Sequence, residues 1–427
     1  MSRIIFQNSI KNINARVVIP GSKSYTNRAL FLASLVRGKV TIKNPLLSED
    51  TKVMMQCLQI LGAKAEMRKN NLVMTNGIKV LPNKTYKLNC GLSGITMRFF
   101  TALATILPGT QIITGEKRLR ERPIKDLVDS LKNMGASIEY FKKPGFLPIK
   151  ISSQELKTGI IKINGGTSSQ HISALLIIAP LIGEMNIKIT GSLISRPYID
   201  MTVNIMRNFG VNIIKKNNRE YYILAKQNYT VRSYQVEGDY SSACYFFAIA
   251  ALTCSTITVG NLKASSIQAD RKFLDILEQM GSKVIYSKNQ VMVKGRGVCP
   301  IKVNMLDCPD QIQTLAVMAA FALGRTEIKG IKSLRVKETD RVKALLRELS
   351  KMGIKTKVNK NSMIIFGGHP RPGVINTYND HRMAMSFAVA GAKLQSMEIM
   401  NPDVVGKTYP QFWRDLRSIG LQLIKLK

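Results

Sequence analysis

The sequence predicts an α/β protein built from six copies of one unit, arranged as two similar, pseudo-threefold lobes of three copies each. Three observations lead there. A glycine that closes an amphipathic helix recurs six times. A second, more apolar helix and a short strand precede each of those helices. The 427 residues also exceed what one ordinary core organises.

The glycines are Gly62, Gly135, Gly210, Gly281, Gly353 and Gly420, about 70 residues apart. Eight, seven, four and one residues before each stand apolar side chains, as with Met54, Met55, Leu58 and Leu61, or Phe412, Trp413, Leu416 and Ile419. Thr202 alone breaks the pattern. This spacing is one face of a helix, and the glycine sits where a helix ends in the left-handed conformation. The preceding helices are apolar on most sides and therefore buried: 29–35, 97–107, 172–181, 243–252, 314–323 and 383–392. Each leads to a strand, at 40–42, 111–113, 187–189, 256–259, 326–328 and 397–399. The unit reads buried helix, strand, polar loop, amphipathic helix, glycine, strand. It is too long for the common solenoid repeats of about 20–50 residues. Three copies per lobe fit better than an open array of six, which stays as the alternative.

An apolar fraction of 45% and a charged fraction of 21% fit a globular chain. The net charge of +36 favours anionic partners: nucleic acid, lipid headgroups or phosphorylated metabolites. Lysines are spread rather than blocked, so compositional drift explains most of the excess. The cysteines at 57, 90, 244, 254, 299 and 308 form no CxxC pair and read as free, buried thiols in a reducing compartment. The apolar run Ile4–Phe6 is too brief for a leader, and the longest stretch, Ile172–Ile182, holds Ser173 and Pro180 and is too short to span a bilayer. A soluble, cytoplasmic protein is expected.

The loops ahead of the buried helices are rich in Gly, Ser, Asn and Asp, as in Gly21–Arg28, Gly91–Arg98, Gly165–Gln170 and Asn379–Arg382. Helix starts with such residues carry unpaired N–H groups that suit an anion. Plain capping is the competing account of any single loop; six equivalent loops favour a shared ligand-facing surface. The loops before the amphipathic helices add interleaved charge at Glu116–Pro123 and Arg335–Arg341. Arginine there offers a fork to carboxylate or phosphate, and Lys337 beside Glu338 suits proton transfer; a solvated charge run is the plainer alternative.

Taken together, Pro20–Ala29, Gly115–Ile124, Ser168–Gln170, Ser195–Asp200, Glu237–Asp239, Arg335–Arg341, Asp380–Ala384 and Lys407-Thr408 resemble, in order along the chain, the 5-enolpyruvylshikimate-3-phosphate synthase family of enolpyruvyl transferases. The resemblance implies an inside-out α/β barrel lobe of three βαβαββ-type units at 21–235, a second formed by 1–20 with 236–427, and a site in the cleft between them. It implies transfer of the enolpyruvyl group of phosphoenolpyruvate to the 5-hydroxyl of shikimate 3-phosphate, with phosphate released. No metal or organic cofactor, nucleic acid or membrane is implied, and the expected form is a monomer.

The same resemblance implies roles. Lys23, Ser24, Arg28, Ser168, Ser169, Gln170, Ser195 and Tyr198 meet shikimate 3-phosphate, together with Asp310 and Lys337. Lys23, Gly94, Arg122, Gln170, Arg341, Arg382 and Lys407 hold phosphoenolpyruvate. Lys23 also belongs with the catalytic pair: Asp310, the base for the 5-hydroxyl, and Glu338, the proton donor to the methylene carbon, with Lys337 its charge partner. His381 is either catalytic or orders its loop; His171 and His369 are expected to play no catalytic part. The chain departs from the family pattern at Leu92, Ile95, Phe99, Ala269 and Ser333. Leu92 and Ile95 are expected to narrow the pocket against glyphosate-like inhibitors. A UDP-N-acetylglucosamine enolpyruvyl transferase is the nearest rival, but residues 115–123 lack its usual cysteine. A basic nucleic-acid-binding repeat protein is the rival of another class; it would need exposed aromatics among the basic residues.

Overall fold

The computed structural model describes residues 2–78 and 82–426. It contains six four-stranded sheets, one per copy. In each, two strands pair in parallel and two more extend the sheet antiparallel. In the second copy Thr85–Asn89 pairs in parallel with Thr110–Thr114, which pairs antiparallel with Ile149–Ser152, and that strand takes Ser137–Tyr140 on its other edge. The structure thus adds to the sequence-derived unit a strand before the buried helix and a hairpin after the glycine.

The copies do not follow one another simply along the chain. Ser233–Gln235 supplies the first strand of copy one, beside Val40–Lys43. Asn14–Val18 supplies the first strand of copy four, beside Thr256–Gly260. Arg3–Phe6 completes copy six between Glu398–Met400 and Leu423–Leu426. These exchanges account for two compact units, 21–236 and 1–20 with 237–427, three copies in each, rather than an open array. Val236 belongs with the first of these, its N–H donating to the Lys43 carbonyl.

Each unit has its own apolar core. The buried helices occupy it: every residue of Gly94–Ala104 is buried, and of Tyr240–Leu252 only Ser241 is not. The sheets turn one face inward, so Thr110–Thr114 alternates part-buried and buried. Helices lie inside and sheets outside, because an all-apolar helix has no face to offer water. All six repeat glycines are left-handed, with φ between 81° and 109°, as the helix endings require. The cysteines are free, but only four are buried. Cys254 and Cys299, in segments between elements, are exposed. No described helix is long and apolar enough to cross a membrane.

Candidate active site

The expected site residues gather in two clusters, one in each unit. In the unit of 1–20 and 237–427 the cluster grows from copies five and six. Asp340 caps the helix Arg341–Lys351 by accepting from Lys343 N at 3.1 Å, which places Arg341 at the first helical position. Asp380 caps His381–Gly391 by accepting from Arg382 N at 2.9 Å. Two helix starts therefore bring two arginines together. The Arg341 side chain is 1% exposed and bonds three carboxylates: Nε to Asp380 at 2.7 Å, Nη2 to Glu338 at 2.9 Å and Nη1 to Asp310 at 3.3 Å. Burial opposes its charge, but Asp380, Glu338 and Asp310 outweigh burial and raise its affinity for the proton.

Asp310 stands at the centre of the cluster. Arg382 Nη2 lies 2.9 Å from Oδ2, and Lys337 Nζ 3.5 Å from Oδ1. Burial favours the neutral acid, yet Arg382, Lys337 and Arg341 together hold the Asp310 carboxyl well below the usual carboxylate range. Glu338 accepts from Arg341 through one oxygen and lies 3.3 Å from Lys407 Nζ through the other. Tyr245 OH accepts from Arg382 Nη1 at 3.2 Å. His381 is 1% exposed, with Nδ1 3.8 Å from Asp380. Asp310, Lys337, Glu338, Arg341, Arg382 and Lys407, the six site residues expected from copies five and six, are thus brought into one network of cations and carboxylates.

In the unit of 21–236 the first turns of three buried helices carry the cluster. Lys23 Nζ pairs with Asp50 at 3.1 Å. Arg28, 1% exposed, donates from Nε to Thr202 Oγ1 at 2.8 Å, from Nη1 to Ser24 O at 3.1 Å and from Nη2 to Tyr198 O at 3.2 Å. Burial lowers its pKa to about 10, and Tyr25, Tyr198 and Tyr234 offset only part of that. Ser168 caps its helix by accepting from Gln170 N at 3.3 Å. Gln170 Oε1 accepts from Arg98 Nη1 at 2.8 Å, and Arg98 also reaches Pro123 O at 3.3 Å, next to Arg122. Gly94 lies against both arginines: a Cβ there would be 2.6 Å from Arg98 Nη1 and 2.7 Å from Arg122 Nη1. Ser169 and Ser195 are buried, and Ser195 is left-handed with φ of 53°.

Several residues that sequence reasoning left without a role prove to organise these clusters. Thr202, the one exception to the apolar rule, holds the buried Arg28. Arg98 occupies in copy two the place of Arg28 in copy one, seven residues after the glycine that opens its loop. Asp50 and Tyr245 carry no signal of their own, whereas Asp380 opens the motif Asp380–Ala384. Ile95 is buried in the apolar core of its unit, and Phe99 packs at 5.1 Å on Phe31. Ser333 and Leu92 are half-buried and Ala269 is buried. His171 is fully buried; burial, then Arg98, pushes its pKa well below the ordinary value and keeps it neutral. His369 is exposed.

A chain that gathers anion-binding cations around carboxyl groups can bind phosphate and carboxylate groups and move protons beside them. The model of the family described as EPSP synthase (3-phosphoshikimate 1-carboxyvinyltransferase) matches residues 7–416. A 3-phosphoshikimate 1-carboxyvinyltransferase of Sulfurovum sp. is 39% identical over 417 residues, covering 96% of this chain and 98% of the relative. One of Shewanella piezotolerans is 38% identical over 426 residues, with 96% and 98% covered. The solved EPSP synthase of Acinetobacter baumannii shares the fold, with a TM-score of 0.83 at 23% identity and all of both chains covered. On this match along nearly its whole length, the chain belongs to the EPSP synthase family.

Proposed function

We propose that the chain is a 3-phosphoshikimate 1-carboxyvinyltransferase of the shikimate route to aromatic amino acids. It moves the enolpyruvyl group of phosphoenolpyruvate to the 5-hydroxyl of shikimate 3-phosphate and releases phosphate. The observation that carries the reading is Asp310: an ionised carboxylate set among Arg382, Lys337 and Arg341, within a match to the family over residues 7–416.

In the proposed chemistry Arg122, Arg341, Arg382 and Lys407, with Lys23, Gly94 and Gln170, hold phosphoenolpyruvate. Lys23, Ser24, Arg28, Ser168, Ser169, Gln170, Ser195 and Tyr198 hold shikimate 3-phosphate, beside Asp310 and Lys337. Asp310 accepts the proton of the 5-hydroxyl, whose oxygen bonds to C2 of phosphoenolpyruvate while Glu338 protonates C3. Loss of a proton from C3 and cleavage of the C2–O bond to phosphate then give the enol ether. An anionic substrate entering the cluster shares the cations that hold Asp310 acidic. The Asp310 carboxylate then becomes a better base when the hydroxyl is present. Positioning and fixed charge supply the acceleration. The expected working form is a cytoplasmic monomer.

Phosphate release tests the reading. The native chain should release phosphate only when both substrates are present, and Asp310→Ala should lose at least about a hundredfold in kcat. Release from phosphoenolpyruvate alone, or an unimpaired Asp310→Ala, would count against it. The UDP-sugar rival gains nothing from the geometry, since the Glu116–Pro123 loop has no thiol to offer.

A further inference from the structure

The buried carboxylates Asp239, Asp270, Glu348 and Asp415 lie outside the chemistry above, and of these Glu348 is the one bound to the segment that leads to Asp380 and Arg382. Glu348, in the amphipathic helix of copy five, is fully buried. Its Oε1 accepts from Tyr378 OH at 2.5 Å; its Oε2 accepts from Asn376 N at 3.0 Å and pairs with Lys351 at 2.6 Å. Nothing about helix formation calls for an acid at this inward position, where copies one to four place Cys57, Ser130, Ile205 and Ile276; copy six also has a buried acid there, Asp415, which accepts from Tyr409 OH.

The segment it grips is strained. Tyr378 and Asn379 are both left-handed, with φ of 54° and 55°, in consecutive positions and without glycine. Such a pair persists only where the surroundings impose it. Directly after it come Asp380, which caps the next helix and bonds Arg341, and Arg382, which bonds Asp310. A second tether joins the same turn to another element: Asn401 Nδ2 donates to Asn379 Oδ1 at 2.8 Å, just ahead of the turn that carries Lys407.

We infer that Glu348 is a positioning residue: through Tyr378 and Asn376 its carboxylate holds the two left-handed residues that aim Asp380 and Arg382 into the cation cluster. Burial, and then the bond to Glu348, pushes the Tyr378 phenol up to about 12, so it stays the donor across the working pH range. Asn379 is held from the other side, so loss of Glu348 loosens the turn without unfolding it. The inference rests on the reading that Arg382 meets phosphoenolpyruvate. Its consequence is specific: a smaller share of molecules presents Arg382 correctly, and apparent affinity for that substrate falls by the same factor.

Glu348→Gln keeps the shape and removes the charge, and Tyr378→Phe removes only the hydroxyl. Each should raise KM for phosphoenolpyruvate about tenfold and leave KM for shikimate 3-phosphate within about twofold. Each should also speed amide hydrogen exchange across 376–383 and leave the buried helix Ile312–Ala319 as in the native chain. A fall in melting temperature with both KM values and the 376–383 exchange unchanged would reduce Glu348 to a stabilising residue and overturn the inference. If the native chain does not turn over at all, the functional reading fails. The exchange measurement then decides the positioning role on its own, and unchanged exchange overturns it.

Discussion

Gly94→Ala adds one methyl group at a confined glycine of the candidate site. The new carbon would stand 2.6 Å from Arg98 Nη1 and 2.7 Å from Arg122 Nη1, where ordinary contact begins at 3.4 Å. One or both guanidinium groups must retreat by about 0.7 Å. A charged hydrogen bond lengthened from about 2.8 to 3.5 Å keeps little of its roughly 1.5–3 kcal/mol. That loss corresponds to a rise of about 10- to 100-fold in KM for phosphoenolpyruvate. The backbone at Gly94 is ordinary helix, so stability should fall by no more than about 1 kcal/mol. Initial rates of phosphate release, with phosphoenolpyruvate varied at saturating shikimate 3-phosphate, measure the effect. Gly368→Ala is the control, because a Cβ there meets nothing within 4 Å. A Gly94→Ala variant with native KM for phosphoenolpyruvate would refute the placement of Gly94 and Arg122 beside that substrate.

Three further outcomes follow from the same geometry. Arg341→Lys cannot reach three carboxylates at once and should cost about 3 kcal/mol in urea unfolding; a loss under about 1 kcal/mol would contradict the account of the cluster. The Asp310 carboxyl is held below its unfolded value of about 3.9, so it adds stability above that pH and loses it as pH falls toward the lower folded value. The stability gap between the native chain and Asp310→Asn should stay level from about pH 8 to 5 and shrink below about 4; shrinkage already between about pH 7 and 5 would contradict this. Ile95→Thr places a hydroxyl in an apolar core and should cost about 1–3 kcal/mol in unfolding measurements. If Ile95 also narrows the pocket, the variant should be inhibited more strongly by glyphosate, and equal inhibition would remove that expectation.

Periodicity made most of the fold legible. An amphipathic face of four positions and a terminal glycine are strong local signals, and they recur because each copy must bury the same face and end the same helix. The pairing of Arg3–Phe6, Asn14–Val18 and Ser233–Gln235 with strands of distant copies is not legible in the periodicity, because strand pairing is a long-range choice that a short run such as Ser-Tyr-Gln does not announce; only the resemblance assigns 1–20 to the second lobe. In the site, the arginines and acids stood out as charge at helix starts. Their partners did not. Thr202 was visible only as an irregularity, and its purpose became clear when Arg28 proved to be buried against it. Asp50 and Tyr245 carry no pattern of their own, since a bond between residues far apart in the chain leaves no spacing to read. Glu348 is the converse case: it looks like an ordinary helix-surface acid and is fully buried.

The central claim is the identity of the transfer. Phosphorus and proton NMR of the native chain with equimolar phosphoenolpyruvate, shikimate 3-phosphate and UDP-N-acetylglucosamine tests it most directly. The account predicts that phosphoenolpyruvate and shikimate 3-phosphate disappear together, with one inorganic phosphate and one new vinyl ether for each, while the UDP-sugar stays untouched. A vinyl ether on the UDP-sugar, or no new ether at all, would contradict it.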